Sequence, residues 1–305
     1  MADILIIFNP FSNRGDSKHA IDVVLQQLAN SDLSYEVKLT EGRRHAIALA
    51  REAAQTGVPL VVAAGGDGTV NEVANGILEA AEGQTGVAST TLGVLPMGSG
   101  NDFAWGLGIR DGVEEAVDRL KRGHTQIIDV AWAEFDHAPG RYFVNMLGCG
   151  FDARVNIEAH KIKRLRGFAI YMAAVLKTLW IYFEKPPVHL QLDERTLDTP
   201  AFITFIANGP RLGGGFLAAP QARYDDGEMD VCIATDITRR EVGSLIPKLM
   251  KGKHTDHPKI IMDRTKSLTL MSDYPLPCQA DGETIGENLH RVKIMTIPQR
   301  LRVVI

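Results

Sequence analysis

Hydrophobic and polar positions in the first 125 residues follow two alternating patterns. Four short apolar runs are typical of buried strands, namely DILIIFNP, YEVKLT, PLVVAAG and TLGVLPMG. Four other stretches have apolar residues at helical spacing, namely SKHAIDVVLQQLAN, HAIALAREAAQ, NEVANGILEAA and VEEAVDRLKRG. Because strands that alternate with helices build βαβ units, residues 1–125 are predicted to form a doubly wound, Rossmann-like α/β domain with a parallel sheet.

The pattern changes near residue 126. Strand-like runs now follow one another, mostly joined by turn residues, in IIDVAWAEF, RYFVNMLGCG, PVHLQLDE, AFITFIANG, MDVCIATD, SLTLMSD and HRVKIMTI. These runs predict an antiparallel β-domain over residues 126–295, with a helical insert at 156–183. The final run, RLRVVI, could belong to either domain, so residues 296–305 could complete the first one.

Composition and charge narrow the class of protein. The chain has 305 residues, of which 45% are hydrophobic and 23% charged, as in ordinary globular proteins. A net charge of −4 and an isoelectric point near 6.1 argue against nucleic-acid binding. Three widely spaced cysteines fit neither a CxxC metal pattern nor a disulfide framework. Since neither a signal-peptide pattern nor an apolar run of about 18 residues occurs, a cytoplasmic protein is expected.

A glycine-rich loop, GGDGT at residues 65–69, follows the third predicted strand. Its glycines permit positive φ angles and a close approach of the backbone to a ligand. The sequence TVNE matches a capping box, which predicts Thr69 as the N-cap of the next helix and Glu72 as its partner. The N–H groups at that helix start would face phosphate, and Asp67 could hold Mg²⁺. The alternative is a structural turn in which Asp67 is merely solvated.

Two further polar loops follow predicted strands. The loop after the fourth strand offers backbone N–H groups, a hydroxyl and polar side chains in Gly98, Ser99, Gly100, Asn101 and Asp102. The loop after the first strand, NPFSNRG at residues 9–15, offers hydrogen-bonding and cationic side chains in Asn9, Ser12, Asn13 and Arg14. Taken alone, each loop could be a helix-capping turn. Because loops after parallel strands meet at one edge of the sheet, the three together predict a phosphate site.

The motif GCGFDA, at residues 148–153, matches the glycine pattern of dinucleotide-binding folds. It lies in the β-rich part of the chain without a βαβ unit, so it is interpreted as a tight turn. The motifs G-x-x-x-x-G-K-[ST], H-E-x-x-H and G-x-S-x-G do not occur. The sequence therefore excludes a P-loop enzyme, a zincin protease and an α/β-hydrolase.

Taken together, these motifs resemble those of the diacylglycerol kinase catalytic family, especially its bacterial soluble lipid kinases. The order NPFSN, GGDGT, GSGNDFA, GCGFDA, DDGEMDV and ADGE matches that family along almost the whole chain. The resemblance implies ATP-dependent phosphorylation of a lipid hydroxyl. It also implies an α/β domain similar to that of 6-phosphofructokinase, a β-sandwich domain, and a catalytic cleft between them.

The resemblance also implies roles for particular residues. The nucleotide would be lined by Asn9, Pro10, Ser12, Asn13, Thr40, Gly66, Asp67, Gly68, Thr69, Val70, Asn71, Glu72, Ser99 and Asn101. Asp67 and Asp102 would support the catalytic Mg²⁺, directly or through water. Glu283, in QADGE, would be the general base that takes the proton of the lipid hydroxyl. From the residues alone, ADGE would be a hairpin turn.

The loop RYDDGEMD, at residues 223–230, resembles the structural Mg²⁺ loop of the family. The resemblance implies that the carboxylate of Asp226 and the backbone carbonyls of Arg223 and Glu228 bind the ion. Hard oxygen ligands in a tight loop suit Mg²⁺ or Ca²⁺. From the residues alone, this loop could be an Asp-Gly hairpin turn, which is compatible with ion binding.

The segment HKIKRLRGFAIYMAAVLKTLWIYF begins with basic residues and continues as an aromatic-rich helix. This combination suits an anionic membrane surface, so a peripheral contact with the inner face of the membrane is expected. The resemblance implies a functional lysine ahead of the glycine of this helix, at Lys163. The alternative is a core helix that covers the sheet and begins with solvated basic residues.

A lipid kinase is the leading hypothesis, with ATP and Mg²⁺ as cofactors. One rival is an NAD kinase or another small-molecule kinase with GGDGT, which GSGNDFA and the basic-aromatic segment disfavour. A second rival is a non-catalytic nucleotide- or lipid-binding module, which Asp67, Asp102 and Glu283 together disfavour. Diacylglycerol, phosphatidylglycerol, a sphingoid base or an undecaprenyl-type alcohol would each present a hydroxyl to this machinery. A monomer and a homodimer both stay open.

Overall fold

The structure, a computed structural model, describes residues 3–15, 17–29, 33–162, 165 and 167–305. Contacts within the chain divide it into two compact units. Unit 1 comprises Met1–Val130 and Pro298–Ile305, and unit 2 comprises Ala131–Ile297. The domain limits at 125/126 and 295/296 stay a prediction.

Unit 1 is an α/β domain that contains every strand and helix predicted for it. Its elements are β1 (Ile4–Phe8), α1 (Ser17–Ala29), β2 (Tyr35–Leu39), α2 (His45–Gln55), β3 (Leu60–Gly65), α3 (Asp67–Ala80), β4 (Thr91–Pro96), α4 (Asp102–Gly106) and α5 (Val113–Arg122). Four strands form a parallel sheet in the order β4-β3-β1-β2. The chain therefore changes direction across the sheet between β1 and β3, at the switch point where open α/β sheets bind ligands. The predicted doubly wound α/β fold is confirmed.

Burial explains why these runs form the sheet of unit 1. All five residues of β1 are buried, and so are the last five of β3, as expected for parallel strands covered on both faces. Helices α2 and α3 pack closely at Gly76, where a Cβ would lie 2.3 Å from the carbonyl oxygen of Ile47. Val303 pairs with Leu92 of β4 in parallel orientation. The final run, RLRVVI, therefore belongs to unit 1.

Unit 2 is built mainly from antiparallel strands. Its elements are β5 (Thr125–Phe135, which begins in unit 1), β6 (Arg141–Phe143), β7 (Met146–Gly150), α6 (Phe151–Lys161), α7 (Phe168–Ile181), β8 (Pro187–Leu192), β9 (Arg195–Pro200), β10 (Ile203–Ala207), β11 (Met229–Ala234), α8 (Arg239–Met250), β12 (Ile260–Thr265), β13 (Ser267–Ala280) and β14 (Glu283–Val304, which ends in unit 1). Neighbouring strands pair antiparallel in the order β12-β11-β10-β7-β13. The predicted antiparallel β-domain is confirmed.

Two of the apolar clusters in the described part of unit 2 show how its strands and helices pack. One is formed by side chains from the strands, among them Leu147, Leu190, Val231, Leu270 and Val292. The other joins the three helices to the strands and includes Phe151 of α6, Ala174 of α7 and Leu245 of α8. The helices of unit 2 therefore contribute apolar side chains to the packing of the β-domain.

The sequence prediction is wrong at four places in unit 2. The helical insert begins at Phe151 and consists of two helices, because Gly150, with a φ of 83°, ends β7 and starts α6 at once. Strands β9 and β12 are missing from the prediction, because both are partly exposed and carry polar residues. Helix α8 is also missing, because Gly243 and Pro247 lower its helix propensity.

The start of α8 carries a helix signal that the prediction did not use. Thr238 accepts a hydrogen bond from the backbone N–H of Glu241 at 3.3 Å. Glu241 accepts one from the backbone N–H of Thr238 at 2.7 Å, which completes a capping box. The pattern T-x-x-E therefore marks a helix start at Thr238.

Candidate functional site

The loops after β1, β3 and β4 meet at the carboxyl edge of the parallel sheet in unit 1. A Cβ on Gly98 would lie 2.3 Å from the Cα of Gly66, so the two glycine loops touch through their backbones. Asn9 donates from Nδ2 to the hydroxyl of Thr69 at 3.0 Å. Ser99 donates from Oγ to Oδ1 of Asn13 at 3.1 Å. The predicted convergence of three polar loops is confirmed.

Helix α3 begins directly after the β3 loop, and its start differs from the prediction. Its N-cap is Gly66, no side chain caps it, and Thr69 lies in its first turn, so the capping box at Thr69 and Glu72 is wrong. Glu72 instead accepts hydrogen bonds at the start of α2, from the backbone N–H groups of Arg44 at 2.8 Å and Ala46 at 3.2 Å. A helix start without a side-chain cap has N–H groups available to phosphate.

Two aspartates stand at the starts of α3 and α4. Asp67 accepts a hydrogen bond from the backbone N–H of Phe103 at 3.0 Å. Burial raises the pKa of Asp67, while hydrogen bonds from the backbone N–H groups of Phe103, Asp102 and Asn101 offset part of the rise. Asp102 is buried and is the first residue of α4. The Asp67 carboxylate therefore lies beside the first turn of α4, which Asp102 begins.

The chemistry of this pair fits a divalent cation that arrives with a nucleotide. Mg²⁺ in proteins is usually held by one or two carboxylates together with water and substrate phosphates. Across the part of the chain that the structure describes, no three His, Cys, Asp or Glu side chains are grouped as a metal site. A cation at Asp67 and Asp102 would therefore complete its coordination with phosphate oxygens and water.

The remaining residues predicted to line the nucleotide lie in different settings. Thr40 follows β2 at the same sheet edge, and its N–H donates to the carbonyl oxygen of Phe8 at 2.9 Å. Asn101 accepts a hydrogen bond from the N–H of Gly98 at 2.8 Å and so shapes the second glycine loop. Pro10 and Ser12 lie in the loop after β1, and Gly68 lies in the first turn of α3. The side chains of Val70 and Asn71 are buried in the core. Contacts of all these residues with a nucleotide stay a prediction.

Glu283, the predicted general base, lies in unit 2 at the start of β14. Strand β13 ends at Ala280, which pairs with Glu283 across a two-residue hairpin turn. The turn residues Asp281 and Gly282 have positive φ angles of 46° and 84°, the geometry that Asp-Gly favours in type I′ turns. The hairpin interpretation of ADGE is confirmed, and it puts Glu283 immediately after a tight turn.

Two contacts hold Glu283 and its turn. Arg141 pairs with Glu283, with 2.9 Å between Nη2 and Oε2, and the two side chains are 18% and 28% exposed. Asp281 is buried and accepts hydrogen bonds at 2.8–3.1 Å from three successive backbone N–H groups, those of Val144, Asn145 and Met146. Arg141 was not predicted, because a single arginine at the start of a strand carries no motif. Asp281 lies in the quoted ADGE motif, where its preference for turns could have indicated a structural role.

The loop at residues 223–230, predicted to hold a structural ion, is contacted by an arginine. Arg264 pairs with Asp226 and lies 3.3 Å from Glu228 and 3.8 Å from Asp230. The other carboxylate oxygen of Asp226 accepts a hydrogen bond from the N–H of Glu228 at 3.3 Å. Both oxygens of Asp226 have protein partners, and a single guanidinium faces the three carboxylates of Asp226, Glu228 and Asp230. Binding of Mg²⁺ or Ca²⁺ through Asp226 and the carbonyls of Arg223 and Glu228 stays a prediction. The hairpin alternative is wrong, because residues 217–228, all of them described, form no strand before β11.

Removing the charge of Arg264 is expected to make this loop depend on a divalent cation. Arg264→Gln would leave the carboxylates of Asp226, Glu228 and Asp230 without their shared cation, and we expect Tm to fall by about 2–4 °C. Addition of Mg²⁺ or Ca²⁺ should restore Tm of this variant. Thermal denaturation of the unsubstituted protein without nucleotide, in EDTA and in Mg²⁺, shows whether the loop also binds an ion beside Arg264.

A matched control is Arg195→Gln, which removes an exposed pair between Arg195 and Asp263. Any loss of Tm in this variant should not be reversed by divalent cations, since only one carboxylate is released. An unsubstituted protein that loses stability in EDTA would show that an ion, in addition to Arg264, offsets the negative charge of the loop. An Arg264→Gln variant with unchanged Tm in EDTA would contradict the stabilising role of Arg264.

Lys163, the functional lysine that the resemblance implies, lies outside the described residues, as do Arg164 and Arg166. The helix that follows, α7, is described, and Leu176, Trp180 and Ile181 on it are 58%, 82% and 51% exposed. Its other side packs into the core of unit 2 through Ala174 and Val175. The two interpretations of this segment are therefore compatible, because one face of α7 is core and the other is an exposed apolar surface.

Comparison with known proteins matches each half of the chain to a family model. A family model described as the diacylglycerol kinase catalytic domain matches residues 3–133. A second, described as the YegS C-terminal NAD kinase beta sandwich-like domain, matches residues 145–305. The β-domain thus belongs to a β-sandwich class, as the resemblance had implied.

Curated relatives and solved structures agree with these matches. A diacylglycerol kinase of Staphylococcus epidermidis (strain ATCC 35984) is 30% identical over 290 residues, covering 92% of this chain and 86% of the relative. A diacylglycerol kinase of Staphylococcus aureus (strain MRSA252) is 29% identical with the same coverage. The crystal structure of a diacylglycerol kinase from Bacillus anthracis str. Sterne has a TM-score of 0.75 at 22% identity, covering 99% of this chain and 96% of that one. At that identity the structural likeness shows the fold.

Proposed function

Because this chain belongs to the diacylglycerol kinase catalytic family, we propose that it transfers the γ-phosphate of ATP to the hydroxyl of a lipid, in a reaction that requires Mg²⁺. The substrate is diacylglycerol or a related lipid such as phosphatidylglycerol. The observation that carries this proposal is the meeting of three polar loops at the switch point of unit 1, beside the uncapped start of α3. That arrangement suits a nucleoside triphosphate, whose phosphates need many N–H donors and few side chains.

In this proposal the residues of unit 1 bind and orient the nucleotide. The glycine loops let the backbone approach the phosphates, and the N–H groups at the start of α3 donate to them. Asn9, Asn13 and Ser99 hold the loops to one another, so the donors are arranged before the nucleotide binds. Asp67 and Asp102 would hold a Mg²⁺ ion, which neutralises charge on the phosphate oxygens during transfer.

Glu283 acts as the general base. Its carboxylate takes the proton of the lipid hydroxyl as the hydroxyl oxygen forms a bond to the γ-phosphorus, while the bond from that phosphorus to the bridging oxygen breaks and ADP leaves. The guanidinium of Arg141 lies 2.9 Å from the Glu283 carboxylate, between Nη2 and Oε2. Arg141 fixes the direction of the carboxylate, so it is a positioning residue for the base.

The experiment that tests this function is a transfer assay with a panel of acceptors. Purified protein, Mg²⁺ and ATP labelled at the γ-phosphate are incubated with mixed micelles of diacylglycerol, phosphatidylglycerol, a sphingoid base or an undecaprenyl-type alcohol, and separately with NAD. Label is expected in one or more phosphorylated lipids. Label in NAD and in none of the lipids would contradict the proposal and favour the small-molecule kinase.

We also propose that the outer face of α7 contacts the lipid surface. Among the residues that the structure describes, no helix has the length and apolar character of a membrane span. Leu176, Trp180 and Ile181 nevertheless form an exposed apolar surface, and Trp is favoured where membrane meets water. Lys161 and Lys177 both pair with Glu158, at 2.7 and 2.6 Å, so the three side chains together keep one positive charge. In this part of the segment the apolar surface is therefore accompanied by a small positive charge, which suits an anionic membrane.

Substitution of Trp180 is expected to weaken vesicle binding. Trp180→Ala removes a large side chain that is 82% exposed, so folding should be little affected while binding to anionic vesicles falls by about tenfold. Cosedimentation with phosphatidylglycerol vesicles measures the change. Tyr274→Ala is the matched control, because Tyr274 is an exposed aromatic residue of the same unit, 56% exposed and distant in sequence from α7. Equal losses in both variants would remove α7 from the membrane contact.

A further inference from the structure

The motif GCGFDA is a strand-to-helix junction, and its acid has a position that the proposed reaction leaves unexplained. Strand β7 ends at Gly150 and α6 begins at Phe151, so Asp152 lies in the first turn of α6. Asp152 is buried. Burying a carboxylate costs free energy unless its contacts compensate. Asp152 is far in sequence from the nucleotide loops and from Glu283, so its role is inferred from its contacts.

Glycine at position 148 allows the carboxylate to lie against strand β7. A Cβ on Gly148 would lie 1.9 Å from Oδ2 of Asp152, which is far inside any permitted contact. Any other residue at this position would displace the carboxylate. The first glycine of the motif therefore serves the contacts of Asp152.

A chain of two hydrogen bonds runs from Asp152 to the turn before Glu283. Gln279 donates from Nε2 to Oδ2 of Asp152 at 2.6 Å, and its Oε1 accepts a hydrogen bond from the backbone N–H of Gly282 at 2.9 Å. An amide group has one donor end and one acceptor end, whereas an ionised carboxylate only accepts. Asp152 thus sets the orientation of the Gln279 amide, which must present its oxygen to Gly282.

The next turn of α6 holds the other side of the same residue. Asn156 donates from Nδ2 to the carbonyl oxygen of Gly282 at 2.8 Å. The hydroxyl of Thr284 donates to Oδ1 of Asn156 at 3.0 Å. Both the N–H and the carbonyl of Gly282 are therefore held by side chains, and the residues on either side of Glu283 are fixed to α6.

We propose that Asp152 and Gln279 are positioning residues for Glu283, with the Asp152 carboxylate orienting the Gln279 amide and the amide fixing the turn from which Glu283 projects. The inference rests on the proposed role of Glu283 as the base. A displacement of a reacting group by about 1 Å can lower a rate by about 100-fold, so the position of this turn bears directly on kcat.

The effect of Asp152 on the stability of the folded protein distinguishes a residue that positions Glu283 from one that only stabilises the fold. Burial raises the pKa of Asp152 to about 6 from its ordinary value of 3.8. Ionisation of Asp152 therefore lowers the stability of the folded protein, a cost that is absent below about pH 4 and complete above about pH 6. Burial also raises the pKa of Cys278, on the adjoining strand, well above its ordinary value, so that neighbour stays a neutral thiol. Asp152→Asn should then have a Tm at pH 8 equal to or above that of the unsubstituted protein.

The test exchanges the two groups. Gln279→Glu sets two carboxylates against each other, and kcat is expected to fall by about 100-fold. The side chain introduced by Asp152→Asn can accept from or donate to the Gln279 amide, so it no longer fixes one orientation of that amide, and kcat is expected to fall by about tenfold. In the double variant, the amide introduced at position 152 can donate to the carboxylate introduced at position 279. That carboxylate can still accept from the N–H of Gly282, so kcat should return to within about threefold of the unsubstituted protein. KM for ATP should change by less than about twofold throughout, because the nucleotide loops belong to unit 1.

The outcomes distinguish this inference from the proposed function. If Glu283→Gln abolishes turnover while folded Gln279→Glu and Asp152→Asn keep full kcat, the inference is overturned and the base remains. If Glu283→Gln keeps full kcat, the proposed base is wrong. A double variant that shows only the sum of the two losses would overturn the reciprocal orientation. Should Gln279→Glu fail to fold, Asp152→Ala decides, since a folded protein with no acceptor at position 152 and with unchanged kcat rejects the positioning role.

Discussion

Replacing Glu283 with Gln is expected to lower kcat by about 10²–10⁴-fold while ATP binding is largely kept. Glutamine has the same shape and can still accept a hydrogen bond from Arg141. The contact between the side chains at positions 141 and 283, 2.9 Å in the unsubstituted protein, can therefore persist. It cannot accept the proton of a lipid hydroxyl at neutral pH. Steady-state kinetics with the preferred lipid give kcat, and calorimetric titration with a non-hydrolysable ATP analogue gives the affinity.

The same strand offers a matched control for this substitution. Glu287 pairs with Arg154 at 2.6 Å, as Glu283 pairs with Arg141, and it lies four residues further along β14. Glu287→Gln therefore removes a charge of the same kind from a comparable ion pair, and it should keep kcat within about twofold. A Glu283→Gln variant with the turnover of the unsubstituted protein would remove Glu283 from the role of base.

Replacing Asp67 with Asn is expected to lower Mg²⁺-dependent activity by about 100-fold or more. The side-chain oxygen of the introduced asparagine can accept the hydrogen bond that Phe103 donates at 3.0 Å, so the local fold should persist. What is lost is the negative charge that would hold the cation against the phosphates. The expected signature is a higher Mg²⁺ concentration for half-maximal rate together with a lower maximal rate.

Asp118→Asn is the control for this second substitution. Asp118 also lies in unit 1, on α5, but its side chain is 58% exposed and its lysine partner lies 4.0 Å away. Its replacement should leave the Mg²⁺ dependence unchanged, because exposed pairs of this kind contribute little. An Asp67→Asn variant with an unchanged Mg²⁺ curve would contradict the assignment of Asp67 as a metal-supporting residue.

The loops of unit 1 could be predicted because their information is local. Each strand is a continuous apolar run, each loop directly follows one, and parallel strands bring successive loops to one edge. The packing of Gly98 against Gly66 is in keeping with the glycines at those two positions. Asn9, Asn13 and Ser99, selected as polar residues in these loops, do join the loops to one another.

Helix starts were harder to predict, because the same short pattern can have different partners. The sequence T-x-x-E occurs at Thr69–Glu72 and at Thr238–Glu241. Of these two, only Thr238–Glu241 forms a capping box. At the first place, the packing of α2 against α3 brings Glu72 to the backbone of Arg44 and Ala46. Tertiary contacts between two helices thus overrode a local signal.

The sequence by itself determined the two kinds of domain, the three polar loops and the hairpin turn before Glu283, since each depends on residues close together in the chain. Only the tertiary structure decided which groups surround them. Arg141 reaches Glu283 across 142 positions (283 − 141), and Gln279 meets Asp152 across 127. Arg264 reaches Asp226 across 38. Such pairs leave no periodic or short-range pattern, because the packing of strands, helices and loops in the folded unit, and not spacing along the chain, brings their side chains together.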